Sequence, residues 1–397
     1  MGREQLIEMV KDTAAHTEAG TMRQAPDVAK VKADVYINPD RFEEECAKVF
    51  RRIPLMMAAS CEIPNAGDFK TMETVGVPVL LVRGKDGEAR AFLNSCSHRG
   101  TNVATDERGN ASRFVCPYHG WTFNQTGDLV GVASSEDFGA VDKDDLCLQQ
   151  FPILEKAGLI WVTLDPKSTL DISKFLSGYD ELLGAFGFEN WHFFESRTLK
   201  GPNWKIAYDG YLDFYHLPVL HANTFGADTS NRANFYSFGP HTRLLAPSTS
   251  MPVPEGMGAA SQADKSDDDI PVESLHDGVW TIFPHISIAT FYGGSRGVMI
   301  SQLFPGDNVS ESYTVQNYLM AEPPTDEIRE QAHAQFSMLE TVVAEEDYAT
   351  GIRQQKALEA GFTDYVYFGR NEEGGQTFHG WVQKILDASD EELNDLF

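Results

Sequence analysis

The spacing of hydrophobic and polar residues changes along the chain. Over residues 1–53, apolar side chains such as Phe42, Cys46 and Val49 recur at helical intervals. From residue 54 to 165, short apolar runs alternate with Gly-containing turns. Residues 77–82 and 90–93, on either side of the turn 85–87, are predicted to form a hairpin. We therefore predict a helical N-terminal segment over 1–53 and an all-β domain over 54–165.

The remaining chain, 166–397, mixes helices with longer strands. Consecutive strands of one antiparallel sheet are predicted over 278–292, 298–304 and 312–320. A helix is predicted to begin near Thr325, because acidic residues occupy its first turn, and to run past Asp347. The predicted fold class is α+β: the all-β domain, then a domain with an antiparallel sheet flanked by helices.

One stretch before these strands has a different composition. Residues 245–275 are rich in Pro, Gly, Ser and Asp. Long loops without secondary structure are unusual in compact domains. We expect this segment to be either a flap over a site or disordered.

Charge and cysteine content limit the classes of function. The chain has 59 acidic and 32 basic residues and a formal net charge of −27, which disfavours binding to nucleic acid or anionic membranes. It shows neither a membrane-spanning apolar run nor a signal peptide, so a cytoplasmic protein is expected. Five cysteines, an odd number, argue against a disulfide framework.

Four potential metal ligands occur in the all-β domain. Cys96 and His98 form a C-x-H pair, and Cys116 and His119 form a C-x₂-H pair. Two thiolates and two imidazoles can hold a [2Fe–2S] cluster, in which one iron binds both Cys and the other both His. Structural zinc sites usually begin with a Cys pair and end with a His pair. The order here, one Cys and one His in each loop, favours the cluster.

This domain resembles the Rieske domain family. Respiratory-chain Rieske proteins carry an additional Cys in each loop, and the corresponding positions here are Thr101 and Tyr118. The resemblance is therefore to the Rieske domains of oxygenases and their ferredoxins. A ferredoxin would end near residue 165, whereas this chain continues to residue 397.

The second domain contains another group of ligand-type residues: Asp213, His216 and His221. Two His and one carboxylate form the facial triad that binds Fe(II) and leaves positions open for O₂. Asp213 and His216 have the spacing of one helix face. Pro218 should disturb the helix and let His221 turn back toward the metal. We predict that His216 and His221 bind a mononuclear iron.

The segment resembles the D-x-Y-H-x₄-H signature of Rieske non-heme iron oxygenase α-subunits, the aromatic-ring-hydroxylating oxygenase family. The resemblance implies that His216 and His221 are iron ligands. It implies that Asp213 is a carboxylate that bridges an iron-ligating His and, across a subunit boundary, a cluster-ligating His. Asp209 lies where the family often has Glu or Asn. It is either a functional residue or a polar helix residue near the site.

A third iron ligand is expected further along the chain. Glu346 and Asp347 belong to a segment that resembles the family's C-terminal E-D motif, in which Asp is the ligand. Helical spacing agrees with Asp347, because it continues an apolar face. That face consists of Phe336, Leu339 and Val343. Glu346 remains an alternative ligand, and His379, in another family-like segment, is interpreted as a packing residue.

The resemblance implies a terminal oxygenase. Electrons from NAD(P)H would pass through a separate reductase, with or without a ferredoxin, to the cluster and then to the iron. Oxygen from O₂ would enter an organic substrate by ring hydroxylation or dihydroxylation. The implied assembly is a homotrimer, with or without a small β-subunit. Four aromatic residues either line a pocket, which would favour an apolar or aromatic substrate, or belong to the core: Phe214, Phe225, Phe291 and Tyr292.

Two alternatives stay open from the sequence. One is monooxygenation or demethylation of a non-aromatic substrate, which would use the same ligands. The other is an electron carrier whose second domain is not catalytic.

Overall fold

The computed structural model describes residues 2–249, 256–292 and 295–397. The chain begins with helix α1 (Gly2–Ala19), strand β1 (Ala29–Lys32) and helix α2 (Pro39–Glu45), which a π-helical turn over Cys46–Phe50 extends. The prediction of helix throughout 1–53 is therefore wrong at β1. That strand pairs antiparallel with the distant segment Tyr365–Phe368, a partner that local periodicity cannot reveal.

Short strands and tight turns dominate residues 54–165. The elements are β2 (Leu55–Ala59), β3 (Asp68–Thr74), β4 (Val77–Arg83), β5 (Ala89–Leu93), β6 (Arg108–Asn110), β7 (Arg113–Val115), β8 (Thr122–Asn124), β9 (Leu129–Gly131), α3 (Ser135–Phe138), β10 (Ile153–Lys156) and β11 (Leu159–Val162). They form antiparallel sheets in the orders β5-β4-β3-β6, β7-β8-β9 and β10-β11-β2. The predicted hairpin is β4–β5.

Strand β4 separates two cores. Val79 and Leu81 belong to the large core that continues into the rest of the chain, whereas Leu80 and Val82 pack in a smaller core with Cys96 and Cys116. Because successive side chains point to opposite faces, burial on both faces explains the unbroken apolar run of this strand.

Helices and long strands follow. The elements are α4 (Ile172–Phe175), α5 (Tyr179–Leu183), β12 (His192–Gly201), α6 (Trp204–Asp209), α7 (Leu217–Leu220), β13 (Asn234–Phe238), β14 (His241–Leu245), α8 (Val272–His276), β15 (Val279–Ile282), β16 (Ile286–Tyr292), β17 (Arg296–Pro305), β18 (Ser312–Met320), α9 (Asp326–Thr341), α10 (Ala349–Glu359), β19 (Tyr365–Phe368), α11 (Glu373–Asp387) and α12 (Leu393–Leu396). A π-helical turn over Val342–Tyr348 joins α9 to α10.

Within the described residues, seven of these strands form one antiparallel sheet in the order β12-β18-β17-β16-β15-β14-β13. Helix α6 packs on β17 and β18, and the π-helical turn packs on β12. The predicted α+β class and the antiparallel sheet are confirmed. The single strand predicted over 278–292 is wrong, because a turn at Phe283–His285 separates β15 from β16. Pro284 has no N–H to donate to the ladder.

The segment predicted to be structureless is partly ordered. Its residues 250–255 lie outside the described residues. From 256 onward it forms short 3₁₀ turns and helix α8, and it contacts α1. Ala259, Ile270 and Leu275 are buried in this contact. A few apolar side chains within a polar stretch therefore anchor the described part.

Among the helices of the described ranges, none is both long and apolar enough to cross a lipid bilayer.

Candidate functional site

Two loops of the same design carry Cys96 and Cys116. In each loop the amide of the Cys donates to the carbonyl of the fifth residue after it, at 2.8 Å. The amides of Gly100 and Gly120 donate back to the Cys carbonyls at 2.8 and 3.0 Å. These glycines have φ of +82° and +70°, a left-handed conformation that glycine adopts without steric cost. Each glycine closes a turn that brings a His near its Cys.

The four predicted cluster ligands come together at these loops. The thiols are buried, and the rings of His98 and His119 lie 4.6 Å apart. The Nδ1 atoms of both His are buried and have no hydrogen-bond partner among the described residues. A buried polar atom without a partner is costly, so it normally binds something. Two thiols and two such nitrogens fit the ligand set of a Rieske [2Fe–2S] cluster.

Aromatic side chains surround the cluster ligands. His98 stacks on Trp121 at 4.8 Å and meets the edge of Phe138 at 5.4 Å, while Tyr118 stacks on His119 at 3.7 Å. Tyr118 is 58% exposed. The histidine side of this centre therefore lies at the surface, where a partner can approach. The sequence analysis did not identify Phe138, because it lies outside the ligand motif.

The second ligand group also assembles. His216 directly precedes α7, His221 directly follows it, and Asp347 lies in the π-helical turn. One ligand atom from each of the three lies within 4.8 Å of the others. Asp347 Oδ1 is 3.1 Å from His221 Nε2 and 3.8 Å from His216 Nε2. π-Helical turns inside α-helices are frequent at functional sites.

Two further carboxylates hold the outer nitrogens of these imidazoles. Asp213 Oδ1 accepts from His216 Nδ1 at 3.0 Å, and Glu346 Oε2 accepts from His221 Nδ1 at 2.6 Å. Thr224 Oγ1 donates to the other oxygen of Glu346 at 2.7 Å. Because a carboxylate only accepts, Nδ1 must carry the proton and Nε2 is free to bind a metal. Glu346 thus contacts His221 on the side opposite Asp347.

The expected helix around Asp213 is wrong. Helix α6 ends at Asp209 and α7 begins at Leu217, so Asp213 lies in the turn between them. Its carboxylate also accepts from the backbone amide of His216 at 3.2 Å. This hydrogen bond stabilises the turn that leads into α7 and holds the backbone of His216 next to Asp213.

Nearby carboxylates favour the protonated form of both triad imidazoles. Burial disfavours the charged form of both imidazoles, but the nearby carboxylates outweigh it. Asp213 and Asp347 raise the pKa of His216, and Asp347 and Glu346 raise the pKa of His221, above the ordinary value. Since metal ligands must be deprotonated, binding of a metal here releases protons.

Asp209 belongs to a separate buried network. Tyr36 Oη donates to Asp209 Oδ2 at 2.7 Å, and His379 Nε2 lies 2.9 Å from both Asp209 Oδ1 and Tyr36 Oη. Burial and the charge of Asp209 raise the pKa of Tyr36. His379 is buried and packs against the rings of Tyr36, Phe368 and Phe378, as interpreted, and it also makes these hydrogen bonds. Its hydrogen bonds join α11 and the N-terminal segment to the end of α6.

A cavity of about 130 Å³ adjoins the triad. Of the predicted pocket residues, Phe214, Phe225 and Phe291 line it, whereas Tyr292 lines a neighbouring pocket beside Arg296. The remaining lining is mostly apolar and includes no Lys or Arg among the described residues. The space next to the triad therefore suits a small apolar molecule.

Family models match both parts of the chain. The model "Ring hydroxylating alpha subunit (catalytic domain)" matches residues 188–388, and the model "Rieske [2Fe-2S] domain" matches residues 54–152. These families imply a Rieske cluster and a mononuclear iron as cofactors.

Curated relatives include dioxygenases and monooxygenases. The large subunit of anthranilate 1,2-dioxygenase from Acinetobacter baylyi is 31% identical over 207 residues, which cover 49% of this chain and 43% of the relative. The oxygenase subunit of carnitine monooxygenase from Escherichia coli K12 is 33% identical over 198 residues, which cover 48% and 52%. The chain thus spans about half the length of these relatives.

Solved structures of the same fold cover nearly the whole chain. A quaternary ammonium Rieske monooxygenase in complex with L-carnitine superposes with a TM-score of 0.75 at 20% identity, covering 91% of this chain and 97% of the other. Naphthalene 1,2-dioxygenase from Rhodococcus sp. bound to indole gives 0.74 at 20% identity, covering 98% and 100%. With the family models above, the chain belongs to the ring-hydroxylating oxygenase α-subunit family and carries a Rieske domain.

Proposed function

We propose that this chain is the terminal component of an oxygenase. It takes electrons through a Rieske cluster to a mononuclear Fe(II) and inserts oxygen from O₂ into an apolar or aromatic organic substrate. The observation that carries the proposal is that one chain holds both ligand sets and that an apolar cavity adjoins the triad. An electron carrier would need neither the triad nor the cavity.

Each predicted site residue has a role in this proposal. Cys96, His98, Cys116 and His119 hold the cluster, and His216, His221 and Asp347 hold the iron, which supplies O₂ activation when bound. Asp213 and Glu346 orient the two imidazoles through their Nδ1 hydrogen bonds. The apolar lining holds the substrate and excludes water. Asp209 acts indirectly, through its network with Tyr36 and His379.

We further propose the division into an N-terminal segment (1–53), a Rieske domain (54–165) and a catalytic domain (166–397). Contacts of α1 with α5 and α8 support packing of the N-terminal segment on the catalytic domain. The cytoplasm is the proposed location, because its reducing conditions keep thiols reduced and none of the five cysteines is in a disulfide.

Electron supply requires partners. A reductase that oxidises NAD(P)H, with or without a ferredoxin, is the proposed donor. The proposed assembly is a head-to-tail ring of three copies, with or without a small β-subunit, since a heterologous contact closes under three-fold rotation. Asp213 lines an open groove with Asp209 and Glu372, while Tyr118 is exposed beside His119. These features support a path from His119 of the partner subunit through Asp213 to His216.

Variants of the groove test this path. With iron supplied in excess, Asp213→Ala should keep both metals and the trimer yet lose nearly all turnover, because His216 loses its partner and the path is broken. Glu372→Gln, a change in another groove carboxylate, is the control and should stay active. Single-turnover kinetics decide: a reduced cluster that reoxidises at the wild-type rate in Asp213→Ala would remove the bridging role. A fully active monomer would remove the path between subunits.

A second candidate is monooxygenation or demethylation of a cationic, non-aromatic substrate. Asp277 lines the cavity on the side where it meets the neighbouring pocket, and its Oδ2 accepts from the amide of Ala259 at 2.8 Å. Among the described residues that line the cavity itself there is no Lys or Arg, so the Asp277 carboxylate favours a cation over an anion there, although Arg296 lines the neighbouring pocket. Relatives named for carnitine and glycine betaine oxidation agree with this candidate.

The test is a product screen with the iron-loaded protein, a surrogate reductase and NADH. Neutral aromatics, quaternary ammonium compounds and aromatic acids are compared by O₂ consumption and product analysis. We expect neutral aromatics to give hydroxylated product in step with O₂ consumption. Activity with quaternary ammonium compounds alone would select the second candidate. Reduction of the cluster without substrate-dependent O₂ consumption in any class would identify an electron carrier.

A further inference from the structure

A row of polar side chains crosses the large sheet beside the cavity. Ser287 on β16 is paired with Ser301 on β17, Ser301 with Gln316 on β18, and Gln316 with Arg197 on β12. Residues directly opposite one another in antiparallel strands project from the same face. That face also carries cavity-lining residues, because Ser287 itself and its neighbour Ala289 line the cavity.

Each residue of this row has one buried polar atom without a partner among the described residues. Ser287 Oγ, Ser301 Oγ, Gln316 Nε2 and Arg197 Nη2 are buried without a hydrogen-bond partner in the described ranges. Within the row, Arg197 Nε donates to Gln316 Oε1 at 2.7 Å. One unpaired buried polar group costs about 1–3 kcal/mol. Several of them side by side are the usual setting for ordered internal water, which bonds to such groups.

The row joins the cavity to the surface. At its inner end, Tyr211 lines the cavity, and its buried hydroxyl has no partner at hydrogen-bond geometry in the described part of the chain. Burial raises the pKa of Tyr211, and interactions with Ser301, Tyr348 and Gln316 oppose this rise. At the outer end, Arg197 Nη1 is 3.4 Å from the carboxylate of Glu340, whose side chain is 54% exposed.

We propose that this row holds a chain of ordered waters that carries protons from solvent beside Glu340 to the site of O₂ reduction. The inference rests on the proposed function. In monooxygenation, O₂, two electrons and two protons convert a C–H bond to C–OH and release one water. In dihydroxylation the same electrons and protons leave both oxygens on the substrate. The reductase supplies the electrons, and the polar row supplies a route for the protons through the mostly apolar lining.

The chemistry of the row suits this task. A hydroxyl or a water accepts one proton and releases another, so it passes a proton without gaining charge. Arg197 stays charged and acts only at the outer end of the row, beside Glu340, where it orders water. Ser287, Ser301, Gln316 and Tyr211 are therefore positioning residues that hold the water chain.

A high-resolution crystal structure of the wild-type protein tests the water chain itself. We expect ordered waters bonded to Ser301 Oγ and Gln316 Nε2, continuous from Tyr211 to Glu340. A dry row would overturn the inference and would leave the proposed function intact.

The Ser301→Val/Gln316→Leu variant tests proton delivery. Apolar side chains at these buried positions, the valine also larger than the serine it replaces, should expel the waters, and single-turnover product formation should fall about 100-fold, the lower end for a positioned proton-transfer group. The solvent deuterium isotope effect should rise, while iron content and the cluster spectrum stay normal. The control is Thr281→Val, because Thr281 is paired with Ser287 but already donates to the carbonyl of Thr242 at 2.9 Å.

The outcomes separate the two proposals. An unchanged rate and isotope effect in the variant would overturn proton delivery by the row. If the double variant does not fold, the single variants Ser301→Ala and Gln316→Leu replace it. Each should give a smaller rise of the solvent isotope effect. If neither variant shows this rise, proton delivery by the row is overturned. A wild-type protein that binds iron but oxidises no substrate would overturn the proposed function and, with it, proton delivery. The crystal structure would still show whether the row holds ordered waters.

Discussion

The two ligand groups of this protein hold their histidines in opposite ways. At the cluster loops, the Nδ1 atoms of His98 and His119 are buried and lack partners among the described residues. At the triad, the Nδ1 atoms of His216 and His221 are bound by Asp213 and Glu346. The metal-facing nitrogen is therefore Nδ1 in the first group and Nε2 in the second.

This difference indicates how each centre is tuned. Neutral imidazoles that lie at the surface among aromatic side chains suit a cluster that accepts an electron from a partner protein. Imidazoles bonded to carboxylates are fixed in orientation and are stronger donors to a metal that must activate O₂. Histidine thus serves as a ligand in both centres. Whether a carboxylate accepts a hydrogen bond from the ring nitrogen that faces away from the metal distinguishes the two centres.

The largest effect is expected from removal of a triad histidine. His216→Ala or His221→Ala should abolish turnover and mononuclear iron binding, because two protein ligands do not hold the metal. The cluster's EPR signal should stay intact, since the two groups share no residue. Iron analysis, EPR and O₂ consumption measure this, and full activity in either variant would refute the triad.

Replacement of Glu346 and replacement of Asp347 should weaken iron binding to different extents. Glu346→Gln should weaken iron binding about 10–100-fold, as for other outer-sphere partners of a metal-bound His. Asp347→Asn should remove iron altogether. Titration with Fe(II) distinguishes the two roles, and the reverse order of effects would make Glu346 the ligand.

A spectroscopic change without loss of metal is expected at the cluster loops. Replacing His98 or His119 by Cys should keep about two irons in the cluster but change the g-values of the reduced protein, because a thiolate replaces an imidazole. The control is Cys147→Ser, a change at a cysteine outside both loops. An unchanged spectrum in a histidine variant would exclude that residue as a ligand.

The smallest effect concerns His285, whose ring nitrogens make no hydrogen bond within the described residues. His285 is fully buried near Phe50 and Phe304, without a hydrogen-bond partner in the described part of the chain. Burial lowers its pKa to about 3. Since the unfolded chain binds this proton near pH 6.5 and the folded chain does not, the free energy of unfolding falls as pH drops from 6.5 toward 3.

His285→Phe should remove that dependence. Between pH 7 and 5 the variant should retain about 2 kcal/mol of unfolding free energy that the wild type loses. Denaturant unfolding at both pH values measures it, with the exposed His333→Gln as control. Equal losses in wild type and His285→Phe would show that His285 is protonated in the folded protein. A partnerless nitrogen alone does not make a metal site: in the described ranges, His285 belongs to no group of three potential metal ligands.

The sequence by itself determined the local features. The cluster loops could be predicted because Cys, His and Gly lie within a few residues of each other. The hairpin β4–β5 and the start of α9 after Thr325 follow from alternation, turns and capping, and Thr325 does accept from the amide of Ile328. The family and the fold class also followed from these motifs and are confirmed.

Only the tertiary structure decided what depends on distant residues. The pairing of β1 with β19, the contact of Asp209 with His379 and the polar row across four strands each join segments far apart in the chain. The geometry of Glu346 and Asp347 depends on a π-helical turn, which places the two side chains on opposite sides of His221. Helical periodicity assumes a regular turn, so it cannot resolve neighbours where the turn widens.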